Sequence, residues 1–546
     1  WLATALLLNT LAPSIHSEAV DYASQLGGAR PSVQANELMA GEFPDGDGVP
    51  ALFVWHRRDG LTDADLQHIR KFTERLSIHP VPYQTFVPPL HQMPMPDMKS
   101  GLLSADGSTI VTPVFFEKDA QPVEWKAGVE EAQAEAVALI GSDPFAVPID
   151  SPADLSARVT GPVGIRIDAA SLFSQADTKL LLATVLLVLI LLLLIYRSPI
   201  LAVTPLMAVG IAFLVISPIL GSMARAGWII VENQGIYIMT VLLFGAGTDY
   251  CLFLISRFRQ LLKVESNKGT ALRVAFTESF GAIAASCFTV AVSLFTLLAA
   301  EYGSSMRAAV PLGVAILVMG LASLTLVPAL LAIMGRASFW PFIPRTPDML
   351  AERTKRRKRP SPALDKPLRN IAGSLVVRRP LHIVIAASFL LGALALFALQ
   401  IRLTYDTLSS FPKTIGSREG FTVIGEQFSP GDLAPMKVIV ETGGNEPDVA
   451  QTLSSHPDVS QVSGPQTGQW NPQLHAYDVR LGINPYTMEA VDLVPEIRKA
   501  VEQELRRTGD GNAADRVWIS GLTAELYDAK QVTERDIRIV FPLIIA

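Results

Sequence analysis

Apolar residues fall along the chain in long blocks separated by stretches of mixed polarity. The plainest block is TKLLLATVLLVLILLLLIY at 178–196, and ILAVTPLMAVGIAFLVISPILG at 200–221 comes after the turn Arg197-Ser198-Pro199. Three more lie at 235–255, 279–300 and 308–335, and a sixth, PLHIVIAASFLLGALALFALQ, at 380–400. Each is close to the roughly 20 apolar residues that carry a helix across a bilayer. The pattern predicts membrane-spanning helices over all six. Pro205, Pro218, Pro311 and Pro328 lie inside spans, where neighbouring helices can satisfy the backbone groups that proline frees. Shorter apolar runs sit at the two ends. Residues 1–12 read as the back half of a spanning helix and 536–546 as the start of another. The expectation is a fragment truncated at both ends.

The intervening regions, 13–177 and 401–535, show a different periodicity. In the first, ALFVWH reads as a strand, TDADLQHIRKFTERL as a helix with Thr62 as N-cap, and STIVTPVFFEK as a strand. VEWKAGVEEAQAEAVALIG reads as the next helix, ARVTGPVGIRID as a closing strand, and a further strand is expected before HPVPYQTF. In the second, PMKVIVE, PDVAQTLSS, VSQVSG, HAYDVRLGI, MEAVDLVPEIRKAVEQELRR and DRVWISG repeat the order. That order is the βαββαβ plan of a ferredoxin-like sandwich. Residues also repeat. SVQANELMAGEF (32–43) matches SREGFTVIGEQF (417–428), with Ser first and Phe eleven residues later, and GPVGIRIDA (161–169) matches GLTAELYDA (521–529). The fold class expected is a membrane α-helical bundle combined with α+β, the unit being one helix, a large domain and a block of helices.

Composition agrees with a bilayer. The 546 residues are 49% hydrophobic and 18% charged, against about 25% charged in ordinary soluble proteins. The two cysteines, Cys251 and Cys287, lie in apolar segments with no metal-ligand spacing and read as small buried hydrophobes. Basic residues are uneven. The 256–278 loop holds Arg257, Arg259, Lys263, Lys268 and Arg273, and the linker 336–379 holds KRRKR at 355–359 among others. The opposite loops, 222–234 and 301–307, hold only Arg225 and Arg307. The excess of Lys and Arg places the basic loops in the cytoplasm and the two large regions outside. The linker reads as a flexible basic segment.

One acid breaks the apolar pattern. In GIYIMTVLLFGAGTDYCLFLI (235–255), Asp249 is the only charge and Tyr250 comes directly after it. A charge at mid-bilayer costs about 2.5–3.5 kcal/mol on insertion scales, which marks such residues as functional. Burial would push the carboxyl toward neutrality, where it can take and release protons. Gly245 and Ala246 share its side of the helix, and small residues admit a neighbouring helix. Ser286, Thr289, Ser293 and Thr296 form a polar stripe on the 279–300 helix, which helix packing alone explains.

The stretch GAGTDYCLFLISRFR opens with Gly245, Ala246, Gly247, Thr248, Asp249 and Tyr250. It resembles the fourth-helix signature of the MmpL group (mycobacterial membrane protein, large) of the resistance-nodulation-division (RND) superfamily. YRSPILA, SLTLVPALLAIMGRASFWP and LTYDTLSSFPKTIGSREGF agree, so the resemblance covers essentially the whole chain. It implies an inner-membrane exporter of lipids or other hydrophobic molecules, driven by protons and needing no other cofactor. It further implies that Asp249 and Tyr250 form one of two Asp-Tyr relay pairs, the second lying beyond Ala546, and that the outside regions are porter domains. The implied partners are the lipid bilayer and a hydrophobic or lipid-like substrate; a homo-oligomer is compatible, and nucleic acid is not implied. Two other readings stand beside this one. A lipid- or sterol-sensing receptor of related architecture would bind without pumping. An intramembrane aspartyl protease would need a second acid on a complete span, and none is present. No Walker A loop, HExxH or Cys/His cluster points to an enzyme. Tyr405-Asp406, just outside the 380–400 span, reads as a solvated loop pair.

Overall fold

The structure is a computed structural model, and it describes residues 1–20, 25–43, 48–347, 349, 378–398, 408–428, 431, 435–442, 447–507 and 513–545. The KRRKR segment of the linker and the pair Tyr405-Asp406 lie outside the described residues.

In chain order the helical bundle comprises α1 (Leu2–Leu11), α6 (Gly161–Tyr196), α7 (Pro199–Arg225), α8 (Asn233–Leu261), α9 (Lys268–Phe295) and α10 (Gly303–Met334), and a further apolar helix, α11 (Pro380–Ala398), is exposed along its length. Five described helices are long and apolar enough to cross a membrane: α7, α8, α9 with its 3-10 extension to Ala299, α10 extended to Phe339, and α11. The apolar end of α6, Leu182–Tyr196, adds a shorter one. Proline is tolerated inside these helices by a visible device. Pro218 in α7 has no N–H, which frees the Leu214 carbonyl. Asn9 of α1 donates its side-chain amide to that carbonyl at 2.6 Å.

The remaining elements build two four-stranded antiparallel sheets. The first contains β1 (Val49–His56), β2 (Gln84–Phe86), β3 (Thr109–Phe116) and β4 (Ser156–Thr160), in the order β2-β3-β1-β4. Helices α3 (Asp63–Ile78) and α5 (Pro122–Ile140) connect it, with α4 (Met95–Gly101) between β2 and β3. Thr62 caps α3 through a capping box with Asp65. The second sheet contains β5 (Met436–Glu441), β6 (Val459–Thr467), β7 (Leu474–Leu481) and β8 (Val517–Ser520), in the equivalent order β6-β7-β5-β8. Its helices are α13 (Val449–Ser454) and α14 (Met488–Arg507).

Two boundaries differ from the sequence expectation. The short strand falls on QTF at the end of HPVPYQTF, not before it. The closing strand ends at Thr160, and GPVGIRID begins the 36-residue helix α6, about 54 Å long. Gly161 makes the turn at φ +75°, and a Cβ there would meet Leu52 Cγ at 2.8 Å, so only glycine fits. Gly521 makes the matching turn from β8 into α15 (Leu522–Ile545).

Each sheet is covered on one face by its own helices and on the other by a helix from the other region. Ala51, Phe53 and Trp55 of β1 pack with α3 and α5, as strand alternation requires. Val54 points the other way, into a cluster with Phe421, Val423 and Ile424 of α12 (Gly416–Gln427). Reciprocally, Leu38 and Met39 of α2 (Pro31–Glu42) pack with Ile439 and Trp518 of the second sheet. The two sequence repeats are the two halves of this exchange. Ser417 N of α12 donates to Asp168 Oδ2 at 2.9 Å, and Ser32 N of α2 donates to Asp528 Oδ2 at 2.8 Å. Each Asp therefore satisfies a first-turn donor on the other copy's helix. Arg158–Glu419 seals one seam as an ion pair at 2.5 Å, and Asn36, bonded to Ser520 at 2.6 Å and Glu525 at 2.7 Å, seals the other. Removing a helix-terminal acceptor of this kind costs about 1 kcal/mol. Asp168→Ala and Asp528→Ala should each lower stability by about that amount in chemical denaturation, and a variant as stable as the parent would show that the cross-copy bond contributes nothing.

Candidate functional site

Helix α8 carries the acid. Its apolar residues repeat at helical spacing, so one stripe turns inward and another outward. The inward stripe includes Met239, Leu243, Tyr250, Cys251 and Leu254, all at most 2% exposed. Gly247 belongs to it: a Cβ there would meet Met319 Cε of α10 at 2.7 Å and Val209 Cγ2 of α7 at 2.8 Å. The outward stripe runs Ile238, Val241, Gly245, Asp249, Phe253 and Ser256, all exposed.

Asp249 therefore does not lie buried in this bundle, as the sequence reading expected; it stands in the middle of an open apolar face. The reason is its phase on the helix, which places it with Gly245 and away from α7 and α10. Gly245 has open space where a Cβ would be, so the close packing expected of it is carried out by Gly247 instead. Ala246 is half-buried, and Thr248 is buried with its hydroxyl donating to the Phe244 and Gly245 carbonyls. Tyr250, one residue on, points inward. The structure thus separates Asp249 and Tyr250 onto different faces. The Tyr250 hydroxyl faces Ser286 of α9. On α9, Ser286 and Ser293 are half-buried and Thr289 is exposed, while Thr296 caps back onto the Ser293 carbonyl at 2.6 Å.

Two further hydroxyls are buried nearby. Tyr196, at the end of α6, is 4% exposed and its hydroxyl has no hydrogen-bond partner among the described residues, and Ser323 of α10 is 1% exposed beside the Cys251 thiol. A buried hydroxyl left unpaired, as at Tyr196, costs about 1–3 kcal/mol; Tyr196 and Ser323, which the sequence reading did not single out, join Tyr250 in giving the bundle core a polar interior. Tyr196 closes an otherwise aliphatic span, where a Tyr reads as an interfacial anchor. Both cysteines are free and buried, as expected. Cys287 fits against Gly320, where a Cβ would collide with its Sγ.

At its other end α8 begins at an ion pair. Glu232, immediately before the helix, accepts from Arg307 of α10 at 2.6 and 2.9 Å, from Ser304 Oγ, and from Gln25 at 3.4 Å. Both charged side chains are nearly sealed, at 9% and 12% exposure. The sequence reading used Arg307 only as a sparse loop charge.

A second polar cluster lies in the first sheet. His56 on β1 is buried, with Nδ1 2.8 Å from Thr109 Oγ1. Burial holds its imidazole below the ordinary value, and the carboxylates of Asp106, Asp150 and Glu426 only partly offset this. Above about pH 6.5 the ring is neutral folded or unfolded. Below it, the unfolded chain takes a proton that the folded chain resists, so stability falls with pH. The thermal midpoint should drop between about pH 7.5 and 5.5, and His56→Gln should lose less over that window. An equally steep loss in the variant would remove His56 as the cause. Among the described residues no cluster of His, Cys, Asp and Glu could hold a metal ion.

A helical bundle of bilayer-length apolar helices, joined to two small antiparallel sheets, defines a membrane transporter of the MMPL/RND type. The chain belongs to the MMPL family, which matches residues 24–383 and whose members are transporters, not enzymes. It is 46% identical to the apo-petrobactin exporter of Bacillus anthracis over the whole of this chain and 74% of that protein. It is 32% identical to a putative membrane protein of Streptomyces coelicolor, covering 62% of it. With the probable transport protein MmpL12 of Mycobacterium tuberculosis it shares 26% identity over 81% of this chain and 36% of that one.

Proposed function

We propose that this chain serves proton-motive-force-driven export of a lipid-like or other amphiphilic small molecule, with Asp249 as the proton-carrying group and Tyr250 supporting it. The observation that carries the reading is Asp249 itself, a lone carboxylate halfway along a bilayer-length apolar helix face. Its open stripe, with Gly245 beside it, suits a second helix carrying the partner group. One proton crossing 100 mV supplies about 2.3 kcal/mol, enough to hold a roughly fifty-fold cargo gradient. The two sheets, whose strand order is that of a ferredoxin-like sandwich, are the porter domains that take and pass cargo outside the membrane. The exchanged helices α2 and α12 make those domains one unit.

The 46% identical relative exports apo-petrobactin, which makes that molecule the first cargo to test. The full-length protein in proteoliposomes should move it when a pH gradient is imposed and stop when a protonophore is added. Cargo movement that ignores the protonophore would overturn the proton reading; binding without movement would favour a lipid-sensing receptor.

A further inference from the structure

Helix α10 starts without a side-chain cap of its own. The N–H groups at a helix start need acceptors from somewhere, and here other segments provide them. Tyr302 N donates to Asp536 Oδ2 at 2.8 Å, and Glu301 N reaches both Asp536 oxygens at 2.9 Å. Gly303 N donates to the Gln25 carbonyl at 2.9 Å, and Ser304 N to Gln25 Oε1 at 2.8 Å. Asp536 lies on α15, the helix that leaves the second sheet. Gln25 lies on the segment between α1 and α2. The cap of α10 is thus supplied by the two connections that lead to the sheets.

Charges reinforce the same corner. The Glu301 carboxylate pairs with Arg30 at 2.5 Å and Arg535 at 3.4 Å. One turn into α10, Arg307 holds Glu232 at the start of α8. The segment leading from α1 joins there too, with Val20 N donating to the Val231 carbonyl at 2.9 Å and Asn233 N to the Val20 carbonyl at 3.0 Å. Asp249 stands 17 residues along α8 from Glu232, about 25 Å away.

We propose that the 301–307 corner is the joint coupling the sheet-bearing regions to the proton site on α8, with Asp536 and Gln25 as positioning residues. The buried Arg307–Glu232 pair keeps α8 and α10 moving together. The caps from Asp536 and Gln25 are the part that opens, because a hydrogen bond fails within about an ångström of displacement. In each transport cycle these caps release and re-form. The inference rests on the proton reading of Asp249.

Covalent locks test it in the full-length protein, reconstituted in proteoliposomes with an internal pH dye. Cys251→Ala and Cys287→Ala first remove the native thiols. One lock pairs Gln25→Cys with Ser304→Cys, the other Tyr302→Cys with Asp536→Cys. Each reduced double-cysteine protein should already conduct more slowly than the parent, because its lock replaces a capping side chain; oxidation should cut proton flux at least about tenfold further, and reductant should restore the reduced rate, since a locked joint gates the cycle. Reversal in the same protein separates a gating role from a folding defect. A cross-linked protein that conducts at its reduced rate overturns the joint, and failure of both pairs to cross-link overturns the closed corner it is built on. Asp249→Asn in the unlocked background separates the two ideas. Flux that survives this substitution overturns the proton reading and the coupling with it. Flux that it abolishes, in a protein whose locks are formed but inert, overturns the joint alone.

Discussion

Asp249→Asn in the full-length protein is expected to reduce proton-driven export by about a hundredfold or more, the scale on which loss of a proton-transferring group is felt. Asn has the shape of Asp and cannot exchange a proton at any cellular pH. The substitution should change folding little, because Asn keeps the size and shape of Asp on a helix position that is exposed in this chain. Equal membrane levels of parent and variant, with cargo efflux measured in both, are the decisive comparison. Efflux at the parental rate would remove Asp249 from the mechanism. Tyr250→Phe should act more mildly, since it deletes a supporting hydroxyl and leaves the proton-carrying carboxylate in place.

Glu232→Ala is expected to give the largest loss of stability. It leaves Arg307 buried without its carboxylate and takes an acceptor from Ser304 and Gln25. Breaking a buried pair in this way costs about 3–5 kcal/mol. The unfolding midpoint of the detergent-solubilised protein should fall by several degrees. Arg307→Ala combined with Glu232→Ala should lose less than the two single changes added together, because the second removal relieves the stranded charge. A strictly additive pair would mean that the two side chains do not sustain each other.

The spanning helices were legible because a bilayer demands long apolar windows, and those windows are visible without any contact map. The alternation of strands and helices in the two regions was legible along the chain, and their lateral order, β2-β3-β1-β4 and β6-β7-β5-β8, is what the structure adds. The start of α6 was not legible: Val159, Val163, Ile165 and Ile167 alternate with polar or small residues as a strand would, and Gly161 reads as a strand-edge residue. Only the surrounding packing, with Leu52 against Gly161, turns the chain into a helix there. The acid at 249 was found by its charge, but its outward direction was not. Every α8 position between 235 and 255 is apolar or small around it, so composition does not say which stripe meets α7 and α10. The repeats were found as matching letters, yet the letters do not encode that Asp168 serves Ser417 and Asp528 serves Ser32. Nor does a pair 75 positions apart, Glu232 and Arg307, announce itself in a sequence that uses both as loop charges.

The exchanged helices also set a timetable for biogenesis. Ser32 and the acid that holds it, Asp528, are 496 positions apart. At about 5–20 residues per second, ribosomal synthesis separates their appearance by roughly 25–100 seconds. Helix α2 must spend that interval with Leu38 and Met39 lacking the sheet they cover, and the first sheet must wait about half as long for α12, Thr160 and Ser417 being 257 positions apart. Neither sheet can be completed as an early, self-contained unit. A nascent chain paused between the two regions should therefore be an efficient client of whatever chaperones wait on its side of the membrane, and release from them should coincide with the emergence of β8 and α15.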